Sequence, residues 1–209
     1  MEKISSLGKS SRKSSTRNIV VVSFLSTIAF LLMFIEMPIP GLFPDFLKID
    51  ISDIPALVAG LSIGPVAGIA VEVLKNLLHA MKGSMTGGIG EMANIVVGSA
   101  FVVATSVVYR RRSNLKGLVL GFVVGTIVMT IVGSLMNYFV LIPFYGKLMG
   151  LQAIIGLGKA INPRVNDLLG FVLWFIAPFN LIKGIMISIL SIPLYKKIES
   201  VIIKQSKNQ

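Results

Sequence analysis

Residues 117–142 carry no charged side chain at all, and residues 91–109 carry only Glu91 at their start. A helix rises 1.5 Å per residue, so about 20 apolar residues cross a bilayer core. Stretches of that kind recur along the chain, and they leave no room in 209 residues for a second, soluble domain. Composition agrees: 54% of residues are hydrophobic, only 14% are charged, and mean hydropathy is +0.85. Soluble domains carry roughly 25% charge. With no cysteine, neither a disulfide framework nor a thiolate metal site can form.

The formal charge of +11 raises the question of nucleic acid, and the placement of the charge answers it. Basic residues collect at Lys3, Lys9, Arg12, Lys13 and Arg17; at Arg110, Arg111, Arg112 and Lys116; and at Lys196, Lys197, Lys204 and Lys207. Each cluster flanks an apolar segment, as expected of cytoplasmic loops under the positive-inside rule. No folded basic surface is left to follow phosphates.

The reading along the chain is an all-α integral membrane protein. Residues 1–18 read as a mobile cytoplasmic basic tail, 19–197 as a six-helix membrane domain, and 198–209 as a second basic tail. A first span at 19–35 is followed by an outer loop, 36–53, with three prolines and three aspartates. Residues 54–82 contain Gly64-Pro65 and read as two short spans, 54–63 and 65–82. That division puts all three basic clusters on one side, with thirteen Lys/Arg inside against Lys48, Lys82, Lys147, Lys159 and Arg164 outside. A glycine-rich outer loop at 83–90, spans at 91–109 and 117–142, a long outer loop at 143–165 and a final span ending at Tyr195 complete six crossings. Pro178 falls inside the last. Two glycine ladders, Gly60-Gly64-Gly68 and Gly117-Gly121-Gly125, put small residues on one helix face and read as packing seams.

Polar side chains within such segments are costly and are therefore candidates for function. Asn180 and Lys183, three residues apart, share a helix face; the alternative is an interhelical amide and a lysine paired with a buried carboxylate. Asn137 lies roughly 30 Å above Lys116, and Asn180 roughly 24 Å above Lys196, so the two amides are expected to meet in the outer half of the bilayer. Alone, Asn137 reads equally as ligand contact or helix–helix hydrogen bond. Glu72, Lys75, Asn76 and His79 share one face, with Glu–Lys and Asn–His contacts expected inside the bundle. Met85 and Thr86 open a glycine loop that allows close backbone approach to a ligand, with Glu91 and Asn94 on one helix face just below. No Lys-Ser/Thr follows GGIG, so no phosphate loop is present. Asp53, before Ile54-Pro55, is expected to be a helix N-cap. With one histidine and no recognisable catalytic pairing, an enzyme is not expected.

The segments LKIDISDIPALVAGLSIGP (47–65), VEVLKNLLHA (71–80), TGGIGEMANIVVGS (86–99) and PFNLIKG (178–184) resemble the riboflavin-specific S-components of bacterial energy-coupling factor (ECF) transporters. The likeness extends over about residues 19–197. It implies a six-helix bundle with an outward-side cavity capped by the loop after the first helix, and a complex with a transmembrane coupling subunit and two ATPase subunits. It implies that Asn137, Asn180 and Lys183 bind the isoalloxazine ring, whose pyrimidine edge presents acceptor, donor and acceptor to amide and ammonium groups. Phe43, Phe46 and Leu47, with Leu42, would wall the dimethylbenzene end, and Thr86 and the glycine loop would suit the ribityl chain. Riboflavin enters as transported ligand, not as a cofactor. The family's first helix often carries alanines four apart for docking on the coupling subunit; Ser23 and Thr27 hold that spacing here, with Ala29 off the register. The implied location is a bacterial cell membrane, multi-pass, with both termini cytoplasmic. An S-component for another vitamin remains an alternative, as does a self-sufficient secondary transporter, although no inverted repeat is visible.

Overall fold

The computed structural model describes residues 2–84 and 87–206, with side chains described for 16–84 and 87–194. Helix α1 (Glu2–Leu32) is followed by a minimal antiparallel pair, β1 (Met37–Pro38) and β2 (Lys48–Ile49), which folds the outer loop back on itself. An exposed Glu36–Lys48 ion pair closes its open end. Then come α2 (Asp53–Ser62), α3 (Pro65–Gly83), α4 (Ile89–Arg111) and α5 (Leu115–Met136), which runs on through a π-helical turn (Asn137–Leu141) into α6 (Ile142–Met149). Helix α7 (Leu151–Ile161) is separate, and α8 (Leu168–Phe171) continues through a second π turn (Val172–Ile176) into α9 (Ala177–Ser206).

Helices α2 and α3 part where the sequence places the break. Gly64 has φ +148°, a conformation L side chains rarely adopt, and Pro65 opens α3 at its first position, where a missing N–H costs nothing. The glycine ladders are seams within the bundle. A Cβ at Gly60 or Gly68 would strike Val102 of α4, and one at Gly121 or Gly125 would strike Thr105. On the opposite side of α5, Val119, Val123, Ile127, Ile131 and Leu135 form an exposed aliphatic stripe of period four. One face is thus reduced to hydrogen for close helix approach, and the other is branched and apolar for lipid.

Two expectations need correction. Residues 143–165, expected as an outer loop, are mostly helical: Ile142, Ile154, Ile155 and Gly158 turn inward at helical spacing against Phe171 and Phe175, although Lys147, Gly150 and Lys159 give the segment a loop-like composition. Asp53 is the first residue of α2, not its N-cap; Ser52 holds that position and makes no side-chain cap.

Both π turns end two residues before a proline, Pro143 or Pro178. Proline lacks an N–H and its ring presses on the carbonyl four residues earlier, so a locally widened turn lets the helix continue instead of breaking. Among the described residues three helical stretches are long and apolar enough to cross a membrane: Ile89–Arg111, Leu115–Met149 and Leu168–Leu194.

Candidate functional site

The two widened turns carry the two amides. Asn137 opens the first, and its Nδ2 donates to the Gly133 carbonyl at 2.9 Å. Asn180 follows the second by one turn, and its Nδ2 donates to the Ile176 carbonyl at 2.8 Å. Gly133 joins them: its carbonyl takes the Asn137 amide, and a Cβ built on it would lie 2.8 Å from the Cγ of Asn180. A side-chain amide has two N–H donors and an oxygen acceptor. Each amide therefore keeps one N–H and its oxygen unused among the described residues, at a buried or half-buried position.

Lys183 lies one turn beyond Phe179 on α9 and is buried. Its Nζ is 3.0 Å from Asp50 Oδ2 and 3.4 Å from Asp53 Oδ2. Asp53 also pairs with Lys75, whose Nζ reaches Glu72 Oε2 at 2.9 Å and donates to Ser52 Oγ at 2.9 Å. Three carboxylates and two ammoniums thus form one buried chain from α3 through the start of α2 to α9. Gly98 of α4 makes room for it, since a Cβ there would fall 2.5 Å from Glu72 Oε2. Burial alone would raise the Asp50 carboxyl, but Lys183 beside it prevails and holds it below the ordinary carboxylate value. The expected Glu72–Lys75 contact is present. An Asn76–His79 contact is not: Asn76 Nδ2 donates to the Glu72 carbonyl, and His79 Nδ1 meets Glu91 Oε1 at 3.0 Å.

The loop between α1 and α2 closes over this region. Phe43 is buried edge-on against Phe179 at 5.5 Å, and Phe46, half-exposed, stacks over Phe171 at 6.2 Å between ring centres. Leu47 packs on the same aromatic cluster. The structure therefore places Phe43, Phe46, Leu47, Asn137, Asn180 and Lys183 around the C-terminal end of α5 and the start of α9. Glu91 belongs to a different group, bonded to His79 and to Ser84 Oγ at 2.8 Å, and Asn94 lies on an exposed face of α4. Met85 and Thr86 lie outside the described residues. Ser23 and Thr27 are both exposed, and the Thr27 hydroxyl turns back to the Ser23 carbonyl at 3.0 Å. An open groove of about 300 Å³ runs along α9, lined only by Ile182, Ile185, Met186, Ile189 and Leu190, and none of the polar groups lines it.

Three residues escaped the sequence reading. Asp50 is one loop carboxylate among three, Gly133 stands outside both ladders, and Phe179 carries no polar group to single it out. Spacing offered no signal for any of them, because each acquires its meaning from a contact with a distant segment.

The family profile for "ECF transporter, substrate-specific component" matches residues 17–195. The chain belongs to this family. S-components are transport subunits, and the chain is a membrane protein and not an enzyme. It is 41% identical over 177 residues to the riboflavin transporter FmnP of Bacillus subtilis (strain 168), covering 83% of this chain and 87% of the relative. It is likewise 41% identical over 182 residues to the riboflavin transporter RibU of Staphylococcus aureus (strain TCH60), covering 87% and 90%. A solved structure described as "Structure and mechanism of the S component of a bacterial ECF transporter" superposes with a TM-score of 0.70 at 38% identity, covering 90% of this chain and 98% of that one.

Proposed function

We propose that the chain is the riboflavin-binding S-component through which an ECF coupling module takes up vitamin B2. Riboflavin, among the vitamins S-components serve, is favoured by the relatives: both that match at 41% identity are named riboflavin transporters. The observation that carries the ligand assignment is the meeting of Asn137 and Asn180 at Gly133, each with an unused donor and acceptor, with Lys183 three residues beyond Asn180 on the same helix. A flavin pyrimidine edge needs that mixture of donors and acceptors. The Phe43, Phe46 and Leu47 side of the outer loop supplies the apolar wall for the rest of the ring, and Met85 and Thr86 lie in the loop assigned to the ribityl chain. Glu91, tied to His79 and Ser84, supports that loop, and Asn94 lies one turn further along α4 on an exposed face.

The bundle crosses the membrane six times, with α2 and α3 as two short spans, an outward cavity under the 36–52 loop, and both termini cytoplasmic. The partners are a transmembrane coupling subunit and two ATPase subunits, the first docking on the Ser23–Thr27 face. The test is the absorbance of the protein purified in mild detergent from a riboflavin-containing host. A yellow preparation with a flavin spectrum is expected. A colourless one that also fails to quench added riboflavin fluorescence overturns the assignment.

A further inference from the structure

The buried charge chain divides into two parts with different surroundings. Lys75 is almost wholly enclosed and has Asp53, Glu72 and the Ser52 hydroxyl around it, all on α3 or at the start of α2. Asp50 stands apart. It precedes α2, on the outer loop itself, directly after β2. Its Oδ1 accepts the Ser52 backbone N–H at 2.8 Å, which fixes the side chain's direction, and its Oδ2 meets Lys183. Lys183 is 133 residues away along the chain, so the pair joins the loop to the last helix. The same loop touches α9 once more, one turn earlier, where Phe43 packs edge-on against Phe179.

We propose that Asp50 is a positioning residue of the ligand site, holding the Lys183 ammonium against the outer wall and tying the 36–52 loop to α9 through it. The inference rests on the reading of Lys183 as a flavin contact. An ammonium has three N–H donors. Asp50 takes one, and Asp53 Oδ2 at 3.4 Å is a charge neighbour without a hydrogen bond, which leaves donors for an acceptor oxygen of the ligand. A lysine stem has four rotatable bonds, and without the Asp50 carboxylate only the more distant Asp53 would restrain its head. Asp50 thus acts at a distance from the ligand: it fixes where the remaining N–H donors are offered, and it keeps the loop's aromatic wall over the same place. Both effects are lost together when the carboxylate is removed.

A double-mutant cycle separates this role from a merely structural one. Riboflavin affinity is measured by fluorescence quenching for Asp50→Leu, Lys183→Leu and the double variant, with Asp50→Asn as the isosteric substitute and Asp50→Glu as the conservative rescue. Asp50→Leu is expected to weaken binding about tenfold, the double variant no more than Lys183→Leu alone, and Asp50→Glu to recover most of the loss. A second arm needs no ligand: Leu42→Cys, on the exposed part of the loop, is labelled by a membrane-impermeant thiol reagent in ligand-free protein. Labelling is expected to rise severalfold when Asp50→Asn is added. Additive losses in the cycle overturn the positioning role, and unchanged labelling overturns the tie to the loop. Wild-type affinity in Lys183→Leu would instead refute the flavin contact, and with it the positioning role, while the labelling arm still decides the tie.

Discussion

Gly133 on α5 lies so close to the Asn180 amide on α9 that a Cβ at position 133 would fall 2.8 Å from both Cγ and Nδ2 of that amide. A helical glycine is disfavoured by about 1 kcal/mol relative to alanine, so packing must account for this one. It lets α9 bring Asn180 down to the level of Asn137. Gly133→Ala is expected to displace the Asn180 side chain and weaken riboflavin binding roughly fivefold, about 1 kcal/mol of hydrogen bonding. The folded protein should remain intact, as read by size-exclusion profile and melting temperature. Unchanged affinity would mean that Asn180 does not face the ligand.

The three polar groups themselves should each matter. Asn137→Leu, Asn180→Leu and Lys183→Leu each remove a partner from a desolvated site, at about 1–3 kcal/mol, or roughly 5- to 150-fold in affinity. Lys183→Leu carries a further cost in stability, because Asp50 then loses its ammonium. Titrating flavin fluorescence against each folded variant checks this; three wild-type affinities would place the pocket elsewhere.

What was legible in the sequence is what depends on near neighbours. Gly64-Pro65 announces the α2–α3 break because φ and the missing N–H are local properties. The ladder Gly117-Gly121-Gly125 announces a packing seam because period four defines a helix face, whereas Gly60 and Gly68 meet Val102 from two different helices on either side of the Gly64 break. The amides and Lys183 stood out because polar groups in apolar segments are costly wherever they sit. The helices between 142 and 161 were hidden, since their inward positions Ile154, Ile155 and Gly158 are interspersed with lysine and glycine that imitate a loop. Asp53 looked like a cap for a similar reason: nothing near it discloses Lys75 and Lys183 as its partners.

Lys75 makes a test of the structural half of the charge chain. It is 1% exposed and ion-pairs with Asp53 and Glu72 together. Removing one member of a buried ion pair leaves an uncompensated charge, at about 3–5 kcal/mol. Lys75→Met is therefore expected to lower the unfolding temperature in detergent far more than Glu72→Gln, which keeps a hydrogen-bonding group beside Gly98 and removes one negative charge. Equal, small shifts for both would show that water reaches this cluster.

Topology follows from the division at Gly64. Single cysteines at Ser113, in the turn between α4 and α5, and at Leu148, at the exposed end of α6, should respond oppositely to an impermeant thiol reagent in intact cells. Position 148 is expected to label and position 113 to resist. Labelling at 113 would mean that residues 53–83 cross the membrane once, or that the whole protein is inverted.

The last prediction separates binding from uptake. The chain belongs to the family of ECF transporter substrate-specific components, so the energy for uptake is expected to come from a partner that touches this chain. Val20, Ser23, Phe24, Thr27 and Leu31 of α1 are all exposed, and within that face Ser23 and Thr27 form a small-residue notch one turn long. The Thr27 hydroxyl is already satisfied by the Ser23 carbonyl, so a second helix could approach the notch without stripping a polar group of its partner. Ser23→Leu with Thr27→Leu fills the notch and adds only apolar surface, which a lipid-facing position tolerates. Buried Ser26 and Ala29 hold the other side of α1 in the bundle and are left untouched. The double variant is expected to bind riboflavin normally in detergent and to lose uptake in cells that carry the coupling module. Wild-type uptake would remove this face from the docking surface, whereas lost binding would show that α1 supports the pocket instead.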